Sequence, residues 1–455
     1  MLTNGHTVIL AEALASLTKE DVPTFVWEKT GLAILDTLGA MFAGSVHASS
    51  YRLMLETIDV LGSKGNCTIV GKGNGFSPVW AALVNGVAAH GLDLDDSHRY
   101  ATGYHPGATV LPACLVIAEL TEASLEDLRL AVLIGYEAAG RIGRAINPSH
   151  RYRGFHSTGT VGVFGAAAGA AKVLGLNAEQ FAWALGIAGS MSGGVFEFLN
   201  GMAPTKHLHA GHAAMAGVLA AVMAQKGFSG PTTILEGEEG FFKAYTDDAR
   251  IEEITKDLGK RFEMEAVYFK PYAACGHSFS AIDAALELRN KGIRPEEVNS
   301  ILVNTYKAAA VLSRQNPTTL HQGEFSIPFL VSLALHRGSC NINDVEKGLK
   351  DKDIIEFAKK VTISESKEIT DNFPKLRSAV LTVKLQDDST ETVRIDLPRG
   401  MPENPLSSDE LTQKFHQLTD SLLGKDNATR VKDAILNVEG NLKEILTIPI
   451  ITDSK

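Results

Sequence analysis

Apolar residues recur three and four positions apart through the first 267 residues, and the same texture returns after residue 400. That period marks helices with one buried side. Several of these segments carry their own start signals. Ser124-Leu-Glu-Asp127 is a capping box ahead of Leu130, Leu133, Ile134 and Ala138, and Asn177-Ala-Glu-Gln180 opens another helix in the same way. A further helix is expected over 213–225, stopped by Gly227. Ser77 and Pro78 read as N-cap and first helical residue of a helix that ends near Gly91 and passes into a polar loop. Gly and Ala crowd 162–171 and 213–221, and small residues let helix axes approach closely.

The pattern changes near Tyr268. Residues 300–304 read as a short strand. Ala379, Leu381, Val383 and Leu385 alternate with Val380, Thr382 and Lys384, and beyond a polar turn Val393, Ile395 and Leu397 alternate again. This is a strand hairpin with one buried face. Helical patterns over 279–288 and 329–335 lie between the strands. The expected fold is therefore mainly α with an α+β part. A large helical domain takes residues 1–267 and 401–455, and a smaller α+β domain takes 268–400, with Pro398, Gly400, Pro402 and Pro405 as the exit linker.

Composition narrows the function classes. With 455 residues, 45% hydrophobic and 21% charged, the chain has ample material for two cores. A formal net charge of −10 argues against nucleic acid or an anionic membrane as the main partner, since either needs a basic face. Residues 1–15 lack a basic start and carry Glu12, so no secretory signal is read there. The apolar runs 156–171 and 181–196 fall short of the roughly 20 residues of a membrane span. Cys67, Cys114, Cys275 and Cys340 form no Cys-x-x-Cys pair, which suits reduced thiols and a cytoplasmic location.

Four stretches carry candidate chemistry. The first, His90-Gly-Leu-Asp-Leu-Asp-Asp-Ser-His-Arg99 with Tyr104-His-Pro-Gly107, interleaves carboxylates and histidines. It suits proton transfer or a metal ion, but its spacing matches no standard ligand frame, and a solvated acidic helix end is the bland alternative. The second, His150-Arg-Tyr-Arg-Gly-Phe-His156, looks like a carboxylate pocket, because Arg153 can grip a carboxylate in two places and His156 precedes a helix start. In the third, Lys206-His-Leu-His-Ala-Gly-His212, a cation stands beside three histidines just before a helix. That crowding is unfavourable unless something negative lies among them, and His207 and His212 are expected to be structural. The fourth, Lys270-Pro-Tyr-Ala-Ala-Cys-Gly-His277, falls at the expected domain junction, a common place for a binding cleft. Gly71-Lys-Gly-Asn-Gly75 imitates a dinucleotide fingerprint, but Phe76 stands where the third glycine belongs, so it reads as a turn.

Together these stretches resemble the MmgE/PrpD family. The resemblance rests on His-Gly-Leu-Asp93-Leu-Asp-Asp-Ser97 with His105-Pro106, Gly154-Phe-His156, Lys206-x-x-His209-x-Gly211 and Tyr272-x-x-Cys275-x-His277, and it covers most of the chain. It implies a helical domain from both chain ends, a smaller lid domain, a homodimer, and an active site that needs no metal and no cofactor. Carried over position by position, it implies active-site roles for Asp93, Ser97, His105, His156, Lys206 and His277, with Ser97 at the substrate and the others catalytic. Arg153, from the carboxylate-pocket reading, and Tyr272 are added as substrate-binding residues. Where decarboxylase members carry a tyrosine in a Ser-x-x-Tyr run, this chain has Ser326-Ile-Pro-Phe329, which places Phe329 at the substrate without a hydroxyl. The implied activity is that of a metal-independent lyase on a small di- or tricarboxylate, by proton abstraction beside a carboxylate. A 2-methylcitrate dehydratase type comes first, and cis-aconitate decarboxylase and iminodisuccinate epimerase types are alternatives. Lys206, His277 and Arg153 would fix a positive field, His105 and His156 would move protons, with either one as base, and Asp93 would orient a histidine. A non-catalytic polycarboxylate-binding protein would use the same cations.

Overall fold

The structure, a computed structural model, describes residues 5–201 and 203–451. It divides into two compact units, Met1–Tyr268 with Ser407–Lys455, and Phe269–Leu406.

The first unit is built on a central helix, Thr205–Gln225, which packs against helices Pro78–His90, Pro106–Thr121, Gly162–Val173 and Ala178–Ser190. By length and composition the central helix could cross a membrane, yet 67% of its apolar stretch is buried inside this unit by those neighbours. The chain's two ends meet where helix Ser408–Leu423 packs on Thr24–His47. Capping boxes close the starts of Leu125–Ile146, Ala178–Ser190 and Ser408–Leu423. The glycines at the centre have a steric reason. A Cβ on Gly211 would stand 2.3 Å from the Leu83 carbonyl oxygen, and one on Gly86 would stand 2.7 Å from the Gly211 Cα. Helix Pro78–His90 and the central helix therefore touch backbone to backbone, and each carries part of the candidate site. Gly71–Gly75 lies in a hairpin between strands Cys67–Ile69 and Gly73–Phe76, as a turn should.

The second unit is α+β. Its sheet runs in the order Val361–Glu365, Val298–Thr305, Ala379–Leu385, Thr390–Ile395, antiparallel except for the first pair. Helices Phe279–Asn290 and Ile327–Arg337 pack together, and each also packs on the sheet. Strand Val361–Glu365 was not legible in the sequence, because only Val361 in it is buried and no alternation results. The stretch expected as an exit linker belongs to this unit. Arg399 donates its backbone N–H to Asp283 at 2.7 Å, and Gly400 donates to the Asn404 carbonyl at 2.8 Å, so the boundary falls after Leu406.

Candidate active site

Helix Pro78–His90 ends on His90, and the chain then runs through Gly91–Asp96 without reaching solvent: Asp93, Asp95 and Asp96 are each at most 1% exposed. A solvated acidic helix end is thereby ruled out. Buried carboxylates persist only when they are paired and hydrogen-bonded, and each of these three has different partners. Asp93, at a left-handed φ of 50°, forms an ion pair with Lys206. Asp95 accepts from His90 Nδ1 at 2.9 Å and lies 3.3 Å from His105 Nδ1. Asp96 accepts from the Tyr136 hydroxyl at 2.7 Å and from the Gly107 backbone N–H at 2.8 Å.

Lys206 sits in the first turn of the central helix, not in a loop ahead of it, because the helix begins at Thr205 rather than at 213. The close packing at Gly86 and Gly211 brings this turn beside the end of helix Pro78–His90. His105 is the N-cap residue of helix Pro106–Thr121, with Pro106 at the first helical position. Its backbone N–H donates to the Thr158 hydroxyl at 3.3 Å. The preceding loop is closed by the Ser97 hydroxyl, which donates to the Tyr104 carbonyl at 2.9 Å. Ser97 thus shapes the loop that presents His105.

Four imidazoles form a row. The His90 and His105 ring centres are 4.5 Å apart, those of His90 and His156 are 6.3 Å apart, and His156 Nδ1 lies 2.9 Å from His209 Nδ1. Burial pushes His90 down to about 3 against the pull of Asp95, and burial likewise pushes His209 down to about 4. Burial lowers His156 well below the usual histidine range, and the neighbouring His209, His90 and Lys206 add to the effect. Burial opposes ionisation of Asp95, but the His90 and His105 imidazoles beside it outweigh this and hold the carboxyl well below its ordinary range. Asp95 is therefore held as a carboxylate that accepts Nδ1–H from His90, with His105 Nδ1 3.3 Å away. A carboxylate on Nδ1 fixes the tautomer and leaves the Nε2 lone pair available. His90 Nε2 is buried and has no hydrogen-bond partner among the described residues.

Other sequence-selected residues lie elsewhere or are already engaged. Arg153 pairs with exposed Asp247 at 3.0 Å and does not join the row, so the expected carboxylate grip gives way to a surface ion pair. His150 is held by the Tyr245 carbonyl and the Thr160 hydroxyl, and His207 by the Ser50 hydroxyl, all of them structural contacts. In the second unit, the Tyr272 hydroxyl donates to Asp283 at 2.5 Å, and His277 Nδ1 lies 2.9 Å from the Tyr306 hydroxyl. Phe329 is fully buried within that unit. A methyl group added to Gly323 or Gly348 would come within 3.2 Å of its ring, so it packs as a core residue and not as a substrate contact. Phe329→Tyr should consequently destabilise the protein by roughly 1–3 kcal/mol, the cost of burying an unpartnered hydroxyl. Thermal melting of the variant checks this, and an unchanged melting temperature would mean the ring edge has access to a polar partner.

The sequence reading passed over His90, Asp95 and His209 as site residues, although each stands inside a quoted motif. Spacing alone offers no means of choosing Asp95 over Asp96, and only folding shows which one meets the imidazoles. The structure also brings one ligand atom each from His90, Asp93, Asp95 and His105 within 4.8 Å of one another, a donor set that no linear ligand frame announced.

Comparison with known proteins bears on the family of the chain. Residues 8–254 match the MmgE/PrpD N-terminal domain, and residues 272–440 match the MmgE/PrpD C-terminal domain. The chain is 25% identical to a cis-aconitate decarboxylase of Aspergillus terreus, with 98% of this chain and 97% of that protein covered. It is 28% identical to a cis-aconitate decarboxylase of Homo sapiens, with 99% and 95% covered. A 2-methylcitrate dehydratase-like protein of Aspergillus oryzae is 25% identical, with 38% of each chain covered. With both halves of the chain matched in order, the protein belongs to the MmgE/PrpD family.

Proposed function

We propose that this protein is a lyase without metal or cofactor that moves a proton beside a carboxylate of a small di- or tricarboxylate. The observation that carries the reading is the pair of imidazoles on one buried carboxylate, His90 and His105 on Asp95, next to the Lys206–Asp93 ion pair. When a C–H or C–C bond breaks beside a carboxylate, negative charge accumulates there. A cation already fixed in place stabilises that charge without reorganising. Lys206 is such a cation, and Asp93 holds it. Asp95 orients His105 so that its Nε2 can accept a hydrogen bond or a proton at the substrate, and His156, further along the row, can deliver the proton that carbon gains.

The relatives shift the order of reactions. Relatives aligned over nearly the whole chain carry the name cis-aconitate decarboxylase, whereas the dehydratase-like relative matches only part of it. Decarboxylation of a tricarboxylate of the cis-aconitate type is therefore placed ahead of dehydration, reversing the order expected from the sequence. In that reaction the carbon–carboxylate bond breaks, CO₂ leaves, and one proton is added to carbon. Incubation in D₂O with cis-aconitate, citrate, methylcitrate and amino-dicarboxylates, followed by NMR, separates the alternatives. Loss of CO₂ with deuterium on carbon supports decarboxylation. Loss of water restores the hydro-lyase, and binding without any exchange favours a polycarboxylate-binding protein.

The cluster of His90, Asp93, Asp95 and His105 calls for its own test, since two imidazoles and two carboxylates also suit a divalent ion. The Lys206 ammonium already neutralises Asp93, which favours the metal-free reading. Treatment with a chelator should leave turnover unchanged, and metal analysis should find less than stoichiometric metal. A bound metal whose removal abolishes turnover would replace this scheme with metal-assisted chemistry.

A further inference from the structure

At the far end of the imidazole row, His156 and His209 face each other through their Nδ1 atoms at 2.9 Å. Two imidazole nitrogens at that distance share one proton, because one ring must donate and the other must accept. The tautomers of the two rings are therefore tied. With both rings neutral, one carries its proton on Nδ1 and the other carries it on Nε2. Phe196 and Phe198 pack against His156, and Phe198 also packs against His209, which keeps the pair in apolar surroundings. Lys206, His209 and His212 follow at three-residue intervals on the central helix and so share one side of it. His156 is 1% exposed and His209 9%, whereas His212 is partly exposed. The row thus runs from a buried carboxylate toward the surface.

We infer that His209 keeps His156 neutral as His156 gives up its Nε2 proton, by handing over the shared proton and drawing one from water, a positioning residue that acts through its neighbour and not on the substrate. The inference rests on the proposed reaction, in which carbon gains a proton that the closed row must recover. The balance is as follows. His156 starts with its proton on Nε2, and His209 starts with its proton on Nδ1. His156 Nε2–H gives its proton to the carbon that has lost CO₂. His209 passes its Nδ1 proton to His156 Nδ1, and His209 Nε2 takes a proton from water. Both rings end neutral, and one proton has moved from solvent to carbon. After product leaves, water reprotonates His156 Nε2, the shared proton returns to His209 Nδ1, and His209 Nε2 releases its own. The charged and titratable groups facing His156 are His209, His90, Lys206 and His105, and those facing His209 are His156, His212 and Lys206. Burial lowers both rings, so they stay neutral at neutral pH, and such a pair passes protons without storing charge.

Two measurements on the full-length protein test this. The first needs no substrate. In protein labelled with ¹⁵N-histidine, two rings should show complementary tautomers, and His209→Asn should remove one and shift the other. Finding both rings with the proton on Nε2 would overturn the relay. The second uses whichever carboxylate the D₂O panel shows to be turned over, with His209→Ala and His209→Asn. Asparagine places an amide near the Nδ1 position and can hold His156, but it cannot pass a proton through. Both variants should lose about tenfold to a hundredfold in kcat with KM little changed, at or below the lower end of general acid–base effects because His209 acts through its neighbour. Added imidazole should restore part of the alanine variant's rate, and the solvent isotope effect on kcat should rise. Full activity in His209→Asn would reduce His209 to a structural pin and overturn the proposal. If no carboxylate is turned over, the proposed reaction fails, and the tautomer measurement still decides the relay.

Discussion

Replacing Lys206 with methionine should lower turnover by about a hundredfold or more, the usual cost of losing a preorganised charge partner at a developing anion. It should also destabilise the fold by roughly 3–5 kcal/mol, because Asp93 then stays buried without its ion-pair partner. The two effects separate in a double variant. Lys206→Met with Asp93→Asn removes both charges and should recover most of the melting temperature while recovering none of the activity. Kinetics and melting curves for the wild type, both single variants and the double variant make the cycle. Activity that returns together with stability would show that Lys206 serves the fold alone, and the electrostatic part of the proposed mechanism would be lost.

Asp95→Asn should lower kcat by something on the order of a thousandfold to ten-thousandfold, as happens when a carboxylate that fixes a histidine tautomer becomes an amide. The amide can donate to His90 Nδ1 and His105 Nδ1, which drives their protons to Nε2 and removes the lone pairs that face away from Asp95. KM should change little, since Asp95 is fully buried behind the two rings. The side chain keeps its shape, so melting should shift far less than in Lys206→Met. A wild-type rate in Asp95→Asn would mean that the tautomers Asp95 sets in His90 and His105 do not govern turnover.

Much of the local structure could be read directly from the residues. Ser124 and Asn177 announced their helices because a capping box satisfies backbone N–H groups within one turn, using residues three apart. Pro78 and Gly91 bounded a helix for similarly local reasons. The hairpin Ala379–Leu385 and Thr390–Ile395 showed its alternation because one face is buried. Strand Val361–Glu365 did not show, since it pairs with a strand some sixty residues away and buries only its first residue. The start of the central helix was misplaced because Lys206, His207 and His209 look like a polar loop until the packing at Gly211 is known.

The same division runs through the site. The order of residues supplied the inventory: acids and histidines in one stretch, a lysine among histidines in another, and enough ordered motifs to place the chain in its family. Tertiary structure alone decided who faces whom. It set Asp93 against Lys206, Asp95 against two imidazoles and Asp96 against Tyr136, three neighbouring carboxylates with three different partners. It sent Arg153 to Asp247, Ser97 to its own loop and Phe329 into a core. The physical reason is that a charge's role depends on its burial and on the groups within a few ångströms, and several of those groups, such as Lys206 at 113 positions from Asp93, arrive only after the helices pack.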